Sequence, residues 1–455
     1  MDFNSQLSFG ELASGLGKKV VVEFDGGDIT SDGGLLLVGQ ADSRVGLCKR
    51  LAGALRESRQ AGKVTHSLEE LVWERVFAVA CGYPDANDLD RLRQDPALKL
   101  VCGQRPGEGE GLASQPTVSR WENRVSRGEL LRCAEVLAKC AIAQLPSQTR
   151  QVIIEMDSTD DACHGQQEFE EFNAYYDAHC YLPLLVHVVG EDGRRWQVAA
   201  VLRPGRAHGT TGLEGVLSRV IKLVRQRLPT AHILVRADSG FGGDRVLRFL
   251  EEQKVDYVIG LAQNRRLQTL STPVQMDACL KYPRSKGLEC VEYGSIDYKA
   301  QSWPHKRRVV VKAAITKGEL NPRYVVTSLG EGTVPAARGG EMVFQLYGAR
   351  GDQENQIKQF KLDLESGRTS CHRFLANQFR LLLHSAAMLL MGIVQAALQG
   401  TAYAKAQIGT IRQQLLKVGA RVVESCRRIC VHLSSSFPQQ GVWRHLNRRL
   451  QVEGM

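Results

Sequence analysis

The pattern of apolar and polar positions changes character twice along the 455 residues. Over residues 20–150 a short apolar strand, KVVVEF, precedes segments whose apolar residues recur at helical spacing. GGLLLVGQADSRVGLCKRLAGAL and GELLRCAEVLAKCAIAQL are the clearest, and Gly- and Pro-bearing loops separate them. At 151 the period shortens. QVIIEMDST is a β-branched apolar run that reads as a buried strand, while YLPLLVHVV and WQVAAVLRP flank a GEDGRR turn and read as a hairpin. LEGVLSRVIKLVRQRL returns to helical spacing. HILVRADSGF is a strand ending in an Asp, DRVLRFLEEQ a helix and DYVIGLA a further strand. Residues 266–340 interrupt this pattern with alternating strands such as RRVVVKAAI and RYVVTSL, and helix-forming sequence resumes near 350.

The order β-β-β-α-β-α-β predicts a mixed sheet with helices packed on it, as in a ribonuclease H-like domain that lacks only its last helix. Residues 347–361, YGARGDQENQIKQFK, supply that helix. The expected class is therefore α/β: a ribonuclease H-like catalytic domain with a strand-rich insertion, a mainly helical N-terminal region and a helical C-terminal tail. The expected divisions are 1–150 for the N-terminal region, a candidate for partner binding or assembly. Residues 151–265 and 341–400 form the two parts of the catalytic domain, 266–340 the insertion and 401–455 the basic tail. LLLHSAAMLLMGIVQAAL (381–398) is the most apolar stretch. It is slightly short of the ~20 residues that span a bilayer and carries His384 and Gln395, so a buried helix is expected.

Charge narrows the partners. Lys and Arg outnumber Asp and Glu by 59 to 49, a formal net charge of +10. From Lys405 onward they outnumber Glu several-fold, which makes the tail a candidate phosphate-contacting surface. The twelve cysteines are scattered singly without a CxxC pair, as expected of reduced core residues in a cytosolic protein. Cys426, Cys430 and His432 form the nearest zinc-like cluster and are weak as one. MDFNSQLSFGELASG lacks the basic start and apolar run of a secretory signal, so a soluble, cytoplasmic chain is expected.

Within that sheet Asp157 belongs to the first strand and Asp238 to the C-terminal end of the fourth, and Glu354 lies on the last helix. Three converging carboxylates repel one another, and a divalent cation resolves the repulsion. Oxygen-only ligands suit Mg²⁺ or Mn²⁺, and two such ions serve in-line displacement at phosphorus. Rivals remain open. Glu155 shares the strand parity of Asp157, Asp160 and Asp161 follow closely, Asp244 reads as a helix cap, and Asp352 opens the last helix. His164 in DDACHGQQE reads as a loop histidine. On the last helix Tyr347, Arg350, Glu354 and Lys361 fall at offsets 0, 3, 7 and 14, which at about 100° per residue return to one side within roughly 60°.

Tyr347-x2-Arg350-x3-Glu354-x6-Lys361 resembles the Tyr-Arg-Glu-Lys signature of DDE transposases encoded by bacterial insertion sequences. DSTDDACHGQQE with YYDAHCYLPLLVHV, RADSGF and LASQPTVSRWENR resemble one branch of that group, the IS thirteen-eighty type. The resemblance implies that Asp157, Asp238 and Glu354 are the catalytic metal-binding triad, loaded with Mg²⁺ or Mn²⁺. Tyr347, Arg350 and Lys361 would hold the backbone of a transposon end, a role that suits guanidinium, ammonium and aromatic groups. Lys358, Trp303 and Arg120 complete the DNA-binding candidates. Trp303 in SWPHKR would stack on a base or else cover apolar surface. Ser119, Arg120 and Asn123 would face a groove if ASQPTVSRWENR is a recognition helix, although it reads equally as a Pro-started packing helix. GYPDANDLDRLRQDP is acidic and reads as helix caps and packing. The resemblance implies double-stranded DNA as partner, a homodimer holding two DNA ends, and cut-and-paste transposition. A metal-dependent nuclease or resolvase, or a retired transposase that only binds DNA, are the competing readings.

Overall fold

The computed structural model describes residues 7–8, 20–107, 109–285, 289–330 and 339–451. Most of the N-terminal stretch expected to lack a signal lies outside them. The chain divides into two compact units, one of residues 49–56 and 121–392, the other of residues 1–48, 57–120 and 393–455.

The first of these units is built on one eight-stranded sheet. Its strands are β1 (Gln151–Ser158), β2 (Leu184–Val189), β3 (Arg195–Val201), β4 (His232–Ala237), β5 (Asp256–Leu261), β6 (Cys290–Tyr298), β7 (Arg307–Thr316) and β8 (Glu319–Thr327). They lie in the order β6-β7-β8-β5-β4-β1-β2-β3. β4 runs parallel to β1 and to β5, and the remaining pairs are antiparallel. The sheet is mixed, with helices on it, and is compatible with a ribonuclease H-like transposase domain. The strands within 266–340 join this sheet, because β8 pairs with β5 and covers an edge that would otherwise be open.

Alternation along the strands assigns the two faces. Val310 and Val325 pack with Leu234, Val258 and the helix residues Val343 and Phe344. Ala313 and Ile315, of opposite parity to Val310, meet Ala278 on the helix Thr272–Lys281. The first face carries helix α1 (Gly339–Gly348), followed by helix α2 (Gly351–Lys358) and a π turn at Gln359–Asp363. The expected single last helix is thus broken after Gly348, and Tyr347 and Glu354 stand on separate segments. The long helix α3 (Phe374–Ala397) passes the length and hydropathy test for a membrane span, but 83% of its apolar window is buried within the protein. Arg380 pairs with buried Glu122 at 2.7 Å, and Ser385 accepts a hydrogen bond from Gln197 at 3.0 Å.

In the other unit, helices Leu35–Val45 and Leu68–Ala80 pack together, and a left-handed Gly46 ends the first. The expected helical tail contains a hairpin instead, Ala420–Ser425 with Arg428–Leu433, and its first strand pairs with Ile29–Thr30. Ala420 and Val422 alternate with exposed Arg421 and Val423, a period-two pattern that outweighs the basic composition. Cys426 and Cys430 fall on this hairpin with His432. Among the described residues no His, Cys, Asp or Glu group of metal-binding size occurs there or elsewhere. Buried Asp32 pairs with Lys417 at 2.7 Å and accepts the Tyr83 hydroxyl at 2.8 Å, joining chain segments far apart in sequence.

Candidate active site

Register between β1 and β4 builds the site from alternate positions on one face of the sheet. Ile153 pairs with Leu234, Glu155 with Arg236, and Met156 with Ala237, so the next position sets Asp157 beside Asp238 at the C-terminal ends of two parallel strands. Parity places Ile153, Glu155 and Asp157 on the face covered by α1. Along it the rungs change from apolar to ionic to acidic. Strand order reverses at β1, and the carboxyl ends of strands at such a switch point are where open α/β sheets place ligands.

The middle rung is structural. Glu155 is fully buried and accepts from Arg195 Nε and Arg236 Nε, each at 2.9 Å, and from Arg236 Nη2. These arginines reach onward to the helix break. Arg236 donates to the Leu346 carbonyl, and Arg195 to the Ala349 carbonyl at 2.9 Å. They satisfy carbonyl groups left open where α1 ends. Arg195 also meets exposed Asp352 at 3.4 Å. Beneath α2, Gln353 is buried against His187 at 3.4 Å, and burial and Arg195 push that imidazole down to about 3. Glu155 therefore leaves the contest with Asp157.

On the acidic rung, Arg350 bridges from the start of α2. Its guanidinium lies 3.4 Å from Asp157 and 3.1 Å from Glu354. Asp157 is 16% exposed and Glu354 51%, so the pair opens to solvent on the helix side. Asp238 caps the short turn Ser239–Phe241, accepting the Gly240 N–H at 2.9 Å. Burial lifts the Asp157 carboxyl to about 6, and the Asp238 charge adds to the rise. The Ser158 N–H and Arg350 oppose it, while Glu354 adds to it. Three carboxylates thus converge with one guanidinium among them. As they stand, no group of three or more His, Cys, Asp or Glu among the described residues is arranged to hold a metal ion. The oxygen-only donor set fits a hard divalent cation, and Arg350 supplies positive charge where such a cation would act.

The other expected residues divide. Lys361 sits beside the site and pairs with Asp160 at 2.6 Å. Tyr347 is half-buried on the core of α1 and the sheet. A Cβ on Gly260 of β5 would lie 2.5 Å from its hydroxyl, so only glycine leaves room for that ring. Lys358, Arg120 and His164 are exposed. Asn123 is turned inward, with its amide 3.9 Å from Cys371 Sγ, which removes it from a groove-facing set. Trp303 is corrected: it is 3% exposed, lies edge-on to Tyr298 and stacks under Arg307 at 4.9 Å. Arg307 is itself held by Asp244 at 2.9 Å and Glu251 at 2.6 Å, so Trp303 covers a buried ion cluster and offers no face to a base. Asp244 is spoken for there, in the first turn of its helix, and Gly243 is the cap. Asp161 is buried and accepts the Thr369 hydroxyl at 2.9 Å.

Arg195 and Arg236 escaped sequence reasoning. A signal was present: Glu155 stands two before Asp157 and Arg236 two before Asp238, the same parity on neighbouring strands.

The family model described as transposase DDE domain, group 1, matches residues 12–454. A search of curated proteins found no match.

Proposed function

On the premise that the chain belongs to this group of transposase DDE domains, which its match over nearly the whole length establishes, we propose that it is a cut-and-paste transposase of a bacterial insertion sequence. Its Tyr-Arg-Glu-Lys spacing and flanking motifs favour the IS thirteen-eighty type branch and a ribonuclease H-like catalytic domain. The observation that carries the reading is the register of β1 and β4, whose last rung, Met156 with Ala237, leads directly into Asp157 and Asp238, with Glu354 linked to Asp157 through Arg350. Asp157, Asp238 and Glu354 would hold Mg²⁺ or Mn²⁺ as two ions. When bound, the metal supplies Lewis-acid activation of the attacking oxygen and stabilises the leaving oxygen at phosphorus.

The chain's own residues divide the remaining work. Arg350 has a guanidinium fork suited to a phosphate oxygen, and releasing it from the carboxylates to DNA exchanges one anionic partner for another. Lys361 and exposed Lys358 extend the cationic track along α2 and its π turn. Tyr347 is seated by Gly260. The substrate is double-stranded DNA at the element's terminal repeats. Both ends must be cut and joined together, so a homodimer holding two ends is the working assembly, in the cytoplasm on the nucleoid.

The test is excision in cells. The gene's flanking DNA brackets a marker, and wild type is compared with Asp157→Asn, Asp238→Asn and Glu354→Gln at equal protein levels. Excision by wild type, lost in all three variants while end binding persists, is expected. Excision surviving in any one variant removes that residue from the triad. Tight end binding without excision by wild type favours a DNA-binding protein that has lost its chemistry.

A further inference from the structure

A small hairpin beside the site presents a tyrosine that the reading above does not use. Strands Glu171–Asn173 and Ala178–Tyr181 pair antiparallel, and Asp161 pairs with Tyr181, so the hairpin docks on the segment that follows Asp157. Its tip is braced. Asn173 Oδ1 accepts the backbone N–H groups of Tyr175 and Tyr176 at 2.9 and 3.3 Å, and its amide donates to the Gly205 carbonyl at 2.6 Å. Arg206 N–H donates to Glu171 at 2.9 Å at the base. Asp177, in left-handed conformation at φ 51°, closes the turn.

On this frame Tyr175 is 88% exposed, second only to Phe24 among the large apolar side chains of the described residues. It touches Tyr176 edge-on, with ring centroids 4.9 Å apart. Burial raises the Tyr176 phenol to about 12, and Asp160, Tyr175 and Asp157 act on it in the same direction. Tyr175 touches Tyr176, Tyr176 lies in the field of Asp160 and Asp157, and Asp160 pairs with Lys361. A braced turn that holds an aromatic ring in solvent gains nothing from folding by doing so, since burial is where an aromatic side chain contributes. A ring kept rigid beside a phosphate-handling centre suits a nucleobase, because stacking on aromatic faces tolerates any base sequence.

Resting on the transposase reading, we infer that the hairpin tip is a DNA-strand contact in which Tyr175 stacks on an unpaired base of the strand held at the Asp157–Asp238–Glu354 site. Tyr176 backs the ring from behind, and Asn173 is a positioning residue that fixes the turn. The ligand is a base of single-stranded or locally opened DNA within a few nucleotides of the cut.

The experiment uses the full chain and duplexes of the gene's terminal flanking sequence, with 5-iodouracil placed at successive positions across the cleavage point. Irradiation without divalent metal is followed by peptide mapping. Cross-linking to Tyr175 at one or two adjacent positions is expected. Tyr175→Ala should abolish it and slow cleavage by about 5- to 150-fold, the equivalent of ~1–3 kcal/mol per stacked base. Tyr175→Trp should restore cleavage. Cleavage by wild type with no cross-link to the tip, and with Tyr175→Ala at the wild-type rate, overturns the contact and leaves the transposase reading standing. A tip cross-link in a chain that cleaves nothing when Mg²⁺ is added upholds the contact and sinks the catalytic reading. Loss of a dimer in Tyr175→Ala by light scattering, with no cross-link in wild type, overturns the contact in favour of a face between two copies.

Discussion

Replacing Glu155 with Gln separates two roles that a carboxylate on this strand could have. The side chain is fully buried and takes three guanidinium N–H groups from Arg195 and Arg236. Glutamine keeps the volume and one acceptor oxygen but removes the charge, leaving two buried guanidinium groups opposite an amide. Breaking a buried ion pair by removing one partner costs about 3–5 kcal/mol, and the retained acceptor argues for the lower end, about 3 kcal/mol. In a unit of this size each kcal/mol moves the melting temperature by about 2–4 °C, so a fall of roughly 6–12 °C is expected. Scanning calorimetry of the full chain reads it. Glu155→Gln combined with Arg236→Met, which brings the rung back to the native net charge, should recover a large part of the loss. Excision should fall as well, because the arginines that hold the Leu346 and Ala349 carbonyls position Arg350 and Glu354. A melting temperature within about 2 °C of wild type, or above it, with excision abolished would refute this reasoning. That result would make Glu155 a metal ligand relieved of its neighbours' repulsion.

Three further outcomes follow from the same geometry. Gly260→Ala places a Cβ 2.5 Å from the Tyr347 hydroxyl, so a destabilisation of about 1–3 kcal/mol is expected by urea titration, suppressed by adding Tyr347→Phe; equal effects in both backgrounds would refute the steric account. Arg350→Ala removes the cation between Asp157 and Glu354, so Mn²⁺ binding by calorimetry should tighten several-fold while excision is lost, and weaker binding would show that Arg350 does not compete with metal. In the other unit, burial lifts the Glu74 carboxyl from 4.5 to about 8, opposed by the Ala113 N–H, reinforced by Glu70 and opposed by Arg75 and Arg93. The native state then holds a proton that the unfolded chain has released, so this contribution is present below pH 4.5 and lost as pH rises through 8, with an upper bound of roughly 5 kcal/mol. Glu74→Gln should flatten that slope in melting temperature between pH 5 and 8.5 and be the more stable form above pH 8; an unchanged slope would refute it.

Much of the catalytic unit is legible in the linear pattern because its strands are short apolar runs bounded by turns. QVIIEMDST, HILVRADSGF and DYVIGLA each became a strand with little change in bounds. The helix LEGVLSRVIKLVRQRL likewise became Leu213–Arg227. The basic tail was less legible, since net charge says nothing of strand pairing, and its hairpin depends on a partner at Ile29–Thr30. Trp303 misled for a related reason. An aromatic followed by Pro, His, Lys and Arg looks like a surface site, but Arg307 turns inward to Asp244 and Glu251 and takes the indole with it.

Local sequence by itself determined the elements, the basic excess, and a Tyr-Arg-Glu-Lys spacing whose Arg350–Glu354 part survives as an i,i+4 pair. These depend on residues within a turn or two of one another, and side-chain periodicity encodes them. Only the tertiary structure decided which of several carboxylates meet. Register between β1 and β4 set Asp157 beside Asp238, and the same register put Glu155 against Arg236 two residues lower on the same face, where burial demands a partner. It also decided that the last helix breaks after Gly348, with two distant arginines supplying the hydrogen bonds the break would otherwise leave open. Pairing between strands is a long-range choice made by packing, and a one-residue slip of β1 would have sent Glu155 and Asp157 to the face opposite Arg236 and Asp238.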